Sequence, residues 1–430
     1  MIVLALDVGT GSVQAAVLET ETGTAVGALT RAEFAVVTPG PEAAEIPWEG
    51  LWLALTQAAR AATRRAPEVE AIGMAVLTPG LVLLDHADRP LLPIRTPRDR
   101  RARPAARQVD AVVGEELLAN TGQRPVPGAM TAVCFRQLLH QDPYLAHQIK
   151  SFLHVNGWLG VHLTGERAFD GGNAGCTGLF GTLTDQAWSP RWCEYFEIES
   201  AWLPPVRSAG DTLGSLRSAV AAELGVPAGI PVMVGAADIS SAMLALGMEP
   251  GDLLHVEGTT QMLAVLTDAP KPGPRRFIRH LGVGKRFLAL THNPLSGAAL
   301  DWIKDLCFRD QSQEEFFTRT IEEARARPTR VNLDPPCLAG DPFQIEACRG
   351  AYRDLELTSD RFDMLSALLA ALVRRHEEAL AALDLTKPPR RIFLTGPGAR
   401  QIRNLLPIYQ TADVQEFDNG SLYGIAKLFS

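Results

Sequence analysis

Apolar and polar positions fall into blocks along the chain, and the first block is the most informative. Residues 2–6 form an apolar run of strand length that ends on Asp7. Gly9-Thr10-Gly11-Ser12 follows, and then a second apolar run over 13–18. This pattern predicts strand, tight turn, strand, with one carboxylate and several backbone N–H groups at the tip. Glycines at 9 and 11 let the backbone approach an anion with no Cβ in the way. Asp7, at the mouth of the turn, is placed to hold Mg2+ through water, as sites with few carboxylates do. The plan recurs over 251–268, where an apolar run leads into Gly258-Thr259-Thr260 and a second apolar run. Two anion-gripping hairpins, one in each half, predict a duplicated fold closing on one nucleotide.

Further along, residues 51–65 show helical periodicity, with Trp52, Leu53, Leu55, Ala58 and Ala59 on one side. Residues 69–76, 81–84 and 229–234 read as strands, 104–202 as helix-rich, and 239–246 as an apolar helix. The second half adds a strand over 287–290 and a helix from Gly297. A charged, exposed helix over 309–330 and a long amphipathic one over 361–383 follow. Residues 391–401 read as strand, glycine turn and helix, whose start offers N–H groups to a phosphate or ribose. The alternation of strand and helix predicts α/β layers. Met248-Glu249-Pro250-Gly251 marks the boundary between domains at 1–247 and 248–430.

Composition narrows the class. At 430 residues, 46% hydrophobic and 21% charged, the chain reads as a globular protein of two domains. A net charge of −8 advertises no basic face for nucleic acid. The six cysteines show no Cys-x-x-Cys pair and read as reduced, mostly buried thiols. No apolar run reaches the ~20 residues that span a bilayer. Asp7 interrupts the first apolar stretch before a signal sequence could form, so the expected location is cytoplasmic.

Two apparent motifs are set aside. Gly9-x-Gly11-x-x-Gln14 lacks the third glycine of a dinucleotide fingerprint and is followed by a strand, not a helix. Gly282-Val283-Gly284-Lys285 lacks the first glycine and the closing Ser or Thr of a P-loop. Two features stay open. The arginines at 95, 98, 100, 101 and 103 are either a solvated charge run or a ligand loop after a strand end. Asp238, at a strand-to-helix corner, is either a catalytic base or only a helix N-cap.

Taken together, these residues resemble the FGGY carbohydrate kinases, within the larger actin, Hsp70 and hexokinase fold. Asp7-x-Gly9-Thr10-Gly11-Ser12 is similar to the family's first phosphate hairpin and Gly258-Thr259-Thr260 to its second. The stretch 81–85 with Pro90, Pro93, Asp99 and Arg101 resembles the sugar-site loop. Leu163-Thr164-Gly165-Glu166 with Asp170 resembles a further family segment, and Gly235-Ala236-Ala237-Asp238 stands in the place of the catalytic Asp. Gly297 matches a nucleotide-side glycine and Gly396-Pro397-Gly398-Ala399 the adenosine loop. Ala412-Asp413-Val414 and Gly424-Ile425-Ala426 match the closing helices.

The resemblance implies two ribonuclease H-like (actin/hexokinase-type) domains with an interdomain cleft. In that cleft ATP with Mg2+ would phosphorylate a hydroxyl of a small ketose or polyol, with Asp238 as general base. Thr10, Gly11, Ser12, Gly258, Thr259, Thr260, Gly297, Gly396, Pro397, Gly398, Ala399 and Gln401 would surround the nucleotide. Thr78, Pro79, Gly80, Asp99, Arg101 and Asp238 would surround the sugar, and Asp7 with Asp238 the metal. The implied partner is a small-molecule sugar, with no nucleic acid and no membrane; a homodimer is one assembly open to it. Departures from the family pattern are Gln14 for Lys or Arg, Leu77-Thr78-Pro79-Gly80 for Gln-Met-His-Gly, Pro97 for Trp, Cys134 for Lys and Pro397 for Gly. They support a second reading, a relative that binds nucleotide or sugar without efficient phosphoryl transfer. The kinase reading needs the two glycine-threonine corners to face each other, with Asp238 within reach of the last phosphate.

Overall fold

The structure is a computed structural model that describes residues 1–430 except 65, 67, 259, 339, 386, 397–408, 410, 411 and 430. The first half contains β1 (Ile2–Val8), β2 (Ser12–Glu19), β3 (Thr24–Ala25), β4 (Thr30–Glu33), β5 (Glu45–Ile46) and β6 (Ala71–Val76). It continues with β7 (Leu81–Leu84), β8 (Ile94–Arg95), β9 (Ser151–His154), β10 (Thr212–Ser215), β11 (Pro231–Met233) and β12 (Ala236–Ala237). Its helices are α1 (Trp48–Thr63), α2 (Arg103–Thr121), α3 (Thr131–Gln141), α4 (Val155–Thr164), α5 (Gly171–Gly175), α6 (Pro190–Tyr195), α7 (Ser218–Leu224) and α8 (Asp238–Ala245). The second half holds β13 (Leu253–Glu257), β14 (Gln261–Thr267), β15 (Phe277–His280), β16 (Phe287–Asn293), β17 (Asn332–Leu333), β18 (Tyr352–Arg353), β19 (Arg391–Thr395) and β20 (Asp413–Glu416). The helices α9 (Gly297–Cys307), α10 (Arg361–Ala382) and α11 (Gly420–Gly424) accompany them.

The two large sheets share one plan. In the first, β1 and β2 form an antiparallel hairpin, β4 pairs antiparallel with β2, and β6 and then β11 lie parallel on the other side of β1. In the second, β13 and β14 form the hairpin, β16 pairs antiparallel with β14, and β19 and then β20 lie parallel beyond β13. This duplication is what the recurrent hairpin predicted. β6 is buried along its whole length, as a strand covered on both faces must be, and its Ala-Ile-Gly-Met-Ala-Val sequence has no polar side chain to bury. A smaller sheet in the order β5-β8-β7-β9 packs with α2 and α3 around its own apolar cluster.

Several expectations need correction. α1 buries Leu51, Ala54, Leu55, Ala58, Ala59 and Ala62, whereas Leu53 is 58% exposed, so the inward face is rotated from the one expected. The 309–330 stretch is helical over 313–326, with a π-helical middle at 316–320, but it is not fully exposed: it buries Phe316, Ile321 and Ala324. Residues 413–416 form the edge strand β20, not a helix. Cys337 and Cys348 form a disulfide, against the expectation of six reduced thiols. Cys134, Cys176 and Cys193 are buried free thiols, and Cys307 is half-buried.

The end of the chain returns to its beginning. Leu422, Ile425 and Ala426 pack with Val3, Ala5, Ala16, Leu18, Ala71 and Ala75 on one face of the first sheet. The approach is close enough that a Cβ at Gly73 would lie 2.5 Å from Ile425 Cγ2. Among the described residues, no helix is long and apolar enough to cross a membrane.

Candidate active site

Three of the expected stretches meet at the carboxyl ends of neighbouring parallel strands, where open α/β sheets place their ligands. β6 lies between β1 and β12, with Ala75 beside both Asp7 and Ala236, and Val76 beside both Val8 and Ala237. Strands are spaced about 4.8 Å apart, which puts the backbones of Asp7 and Ala236 roughly 10 Å from each other. Between them the chain leaves β6 through Leu77-Thr78-Pro79-Gly80, and the Leu77 N–H donates to Val8 O at 2.7 Å.

Asp238 is the first residue of α8, and the N-cap position belongs to Ala237, with no side-chain cap. The cap alternative is therefore not what the structure shows. Asp238 Oδ1 accepts from the adjacent Ile239 N–H, at 2.7 Å. Burial, and then the negative charge of Asp7, push the Asp238 carboxyl up to about 7. Burial lifts Asp7 to about 6, partly offset by a 2.6 Å hydrogen bond from Ser421 Oγ. Ser421 belongs to α11, so the second half of the chain reaches into the first carboxylate.

At the tip of the first hairpin, Gly9 N–H donates to Ser12 O at 2.9 Å, and Thr10 and Gly11 are exposed. Nothing lies within 4 Å of where a Gly11 Cβ would stand, so the space before the turn is open. Gln14 sits directly opposite Asp7 in the hairpin register, on the same face, and its Oε1 is buried without a partner among the described residues. Two carboxylates and one orphaned amide oxygen form a hard-oxygen donor set, which suits a hydrated Mg2+. Among the described residues no group of three or more His, Cys, Asp and Glu is arranged around a metal position.

The residues expected around the sugar divide in two. Thr78 Oγ1 lies 3.1 Å from Val76 O and 3.3 Å from Asn173 Oδ1, and a Cβ on Gly80 would lie 2.8 Å from Val155 Cγ2. Asp99 and Arg101 are instead absorbed by each other. Arg101 Nε lies 3.0 and 3.2 Å from the two Asp99 oxygens, its Nη2 also reaches Glu45, and Ala44 N–H donates to Asp99 at 3.3 Å. Arg95 lies beside this cluster in a cross-strand row with Glu45, Leu81 and His154, and its buried Nη1 has no hydrogen-bond partner among the described residues.

A polar network behind Thr78 was not anticipated from the sequence. Asn173 Nδ2 donates to Asp170 Oδ1 at 2.6 Å, so Asn173 Oδ1 accepts, and His154 Nδ1 at 3.1 Å carries the proton. His154 Nε2 then accepts from Thr131 Oγ1 at 3.0 Å. Burial lowers the imidazole to about 4 and lifts Asp170 to about 6. Only Asp170 had been singled out. His154 and Asn173 come from separate segments whose meeting no local spacing encodes.

On the other sheet, Gly258, Thr260, Gly297 and Gly396 converge at the carboxyl ends of β13 and β19. Gly258 N–H donates to Thr260 O at 3.1 Å, and Gly297 N–H donates to Gly258 O at 3.2 Å. A Cβ at Gly297 would lie 2.6 Å from Gly258 O. Gly396 has φ +105°, and a Cβ there would strike the Glu257 carbonyl, so both conformation and contact require glycine. Thr259, Pro397, Gly398, Ala399 and Gln401 lie outside the described residues. The two sheet edges are joined by the segment after β20, where α11 packs on α8 and Ser241 Oγ donates to Ser421 O at 2.7 Å.

Comparison with known proteins agrees with this architecture. The structure superposes on ligand-bound xylulose kinase from Lactobacillus acidophilus with a TM-score of 0.88 at 17% identity, over 100% of this chain and 88% of that one. It superposes on Plasmodium falciparum glycerol kinase with ADP with a TM-score of 0.81 at 15% identity, over 99% of this chain and 88% of that one. The fold is thus that of two actin-like ATPase domains. By sequence, the autoinducer-2 kinase of Yersinia enterocolitica is 29% identical over 285 residues, 63% of this chain and 51% of that protein. The chain spans about half the length of the curated relatives it matches. Residues 2–245 match the N-terminal domain of the FGGY family of carbohydrate kinases, and the chain belongs to that family.

Proposed function

We propose that this protein is an ATP-dependent kinase that phosphorylates a hydroxyl of a small ketose or polyol, with Asp238 as the general base. The observation that carries this reading is the placement of the Asp238 carboxyl just after the strand next to 77–80, buried and close enough to feel the charge of Asp7. A base with a pKa near the working pH combines availability with proton affinity. In this reading Asp238 accepts the proton of the attacking hydroxyl as the terminal phosphate is transferred. Its help is secondary to alignment and charge neutralisation. Thr10, Gly11 and Ser12 on one side, and Thr259 and Thr260 on the other, offer N–H and hydroxyl donors to the phosphates, while Gly258 and Gly297 let the backbone come close. Gly396, Pro397, Gly398, Ala399 and Gln401 take the adenosine. Asp7, Asp238 and Gln14 would hold Mg2+ through water, and the ion supplies neutralisation of phosphate charge. Thr78, Pro79 and Gly80 line the acceptor side, with Asp99 and Arg101 fixing the loop that flanks it. Residues 1–247 would carry the acceptor and 248–430 the nucleotide.

The test is an ADP-release screen of purified protein over a library of pentuloses, hexuloses, deoxy-ketoses and polyols, with Asp238→Asn as control. At least one acceptor is expected to stimulate release, and the variant should lose about 10²–10⁴-fold, the usual worth of a general base. A screen with no responsive acceptor, or an equally active variant, would overturn the reading. One observation favours an alternative: Gln14 places an uncharged amide where a phosphate-facing cation would help. A protein that binds ATP tightly with no turnover on any acceptor would establish that alternative, a binding homologue impaired in transfer.

A further inference from the structure

We propose that Glu257 is a positioning residue for the nucleotide, locking together the elements that meet behind the turn at 258–260. The proposal rests on the reading of that turn as the nucleotide site. Glu257 ends β13 and is 1% exposed. Its Oε1 accepts from the hydroxyl of Ser296, the residue just before α9. Its Oε2 accepts from Gln261 Nε2 at 2.9 Å, at the start of β14, and from His255 Nε2 at 2.7 Å. Ser296 Oγ also lies 3.1 Å from Gly258 O, the same oxygen that receives the Gly297 N–H. The backbone carbonyl of Glu257 is the atom that Gly396 must remain a glycine to clear.

A buried carboxylate is tolerated only when donors fill its oxygens. Here the donors come from β13, from β14 and from the segment before α9, so the charge is satisfied only when all three stand in register. The network continues outward: His255 Nδ1 meets Tyr409 OH, and Gln261 Oε1 lies 3.2 Å from His376 Nδ1 on α10. A negative side chain behind an anion site cannot attract the anion. Its contribution is geometric, fixing the backbone of Gly258, whose N–H is held by Thr260 O and whose carbonyl is held by Gly297 N–H and Ser296, and with it the course of the turn.

That distinction makes the amide variant decisive. In Glu257→Gln the side-chain oxygen can take over the bonds from Gln261 and His255. Its Nε2 can donate to Ser296 Oγ, whose proton then serves Gly258 O. The experiment measures, on the full chain, the Kd of Mg-ATP by calorimetry together with the KM of an acceptor. Glu257→Ala should weaken ATP about 10–100-fold, as it strands buried donors, and Ser296→Ala about 3–10-fold, as it leaves one carboxylate oxygen without its donor. The acceptor KM should stay within about twofold, and Glu257→Gln should bind ATP within about threefold of wild type. ATP affinity unchanged in both alanine variants would overturn the proposal, as would an equal rise in acceptor KM, or a glutamine variant as weak as alanine. Should Glu257→Ala not fold, Ser296→Ala and Glu257→Gln decide by the same criteria. Wild-type protein that fails to bind ATP would instead bring down the nucleotide reading itself, a different result from variants that bind normally.

Discussion

At the residue scale, the meaning of Asp238 depends on what surrounds it, and only part of that could be read from its position in the chain. A carboxylate between an apolar strand and an apolar helix is legible as a corner residue, but base and cap look alike at that level. The structure places Ala237 at the cap, and burial, followed by the charge of Asp7, raises the Asp238 carboxyl to about 7. If Asp238 is the base, kcat/KM for the acceptor falls as pH drops below the Asp238 pKa, which is about 7 before metal binds and lower once Mg2+ is held. Stability carries the opposite sign. An acid whose folded pKa is raised contributes stability that is complete below the ordinary carboxylate range, near pH 4, and lost as pH climbs through about 6 to 7. Asp238→Asn removes that loss, so the unliganded variant should be more stable than wild type at pH 8 by about 1–3 kcal/mol, while inactive. Melting curves of both proteins at pH 5 and pH 8 check this, and equal melting at pH 8 would contradict it. His154 and Asn173, by contrast, were illegible. Each is an ordinary polar residue in its own segment, and the network exists only because β9 and α5 are brought behind Thr78.

At the element scale, the two hairpins were legible because apolar runs of strand length broken by Gly-Thr turns leave few other structures open. The long helix α10 was legible for the same kind of reason, its start fixed by a capping box between Asp360 and Asp363. The region around 309–330 was misread because charge dominates its composition, while three well-spaced apolar residues decide how it packs. β20 was misread because only one of its residues is apolar: as an edge strand it follows its neighbour β19, not its own pattern. The disulfide left no motif, since its cysteines are 11 residues apart and are joined by tertiary folding. The loop it closes reaches the first half, where Arg103 meets Ile345 O and Arg107 Nε pairs with Glu346 at 2.6 Å. Closing a loop of that length limits the unfolded chain by about 2–3 kcal/mol. Cys337→Ser, or reduction of wild type by a dithiol, should therefore lower denaturant stability by about that amount. Urea titrations with and without reductant measure it, and superimposable curves would show that the crosslink adds nothing.

At the scale of the whole molecule, the contacts between the residues before and after the boundary expected at 248–251 bear on how the chain unfolds. The last described residues cover a face of the sheet built by the first ones, and Ser421 reaches Asp7 itself. Further contacts cross elsewhere: Ile278 N–H donates to Gly122 O at 3.0 Å, and Ala209 N–H donates to Gly282 O at 2.9 Å. Ile425 is fully buried against this face, with Gly73 opposite leaving it room. Truncating such a residue removes apolar contact and leaves a cavity, a loss of about 2–5 kcal/mol. If the halves unfolded separately, Ile425→Ala would shift one of two transitions and leave the other in place. The packing predicts instead one calorimetric transition that moves as a whole to lower temperature, because the first sheet loses its cover and the second loses its anchor together. The same variant should weaken ATP and acceptor alike, since α11 carries Ser421 to Asp7 while packing on α8 behind Asp238. Two resolved transitions with only one displaced would show that the closing segment is an accessory to the first domain and not the tie between the two.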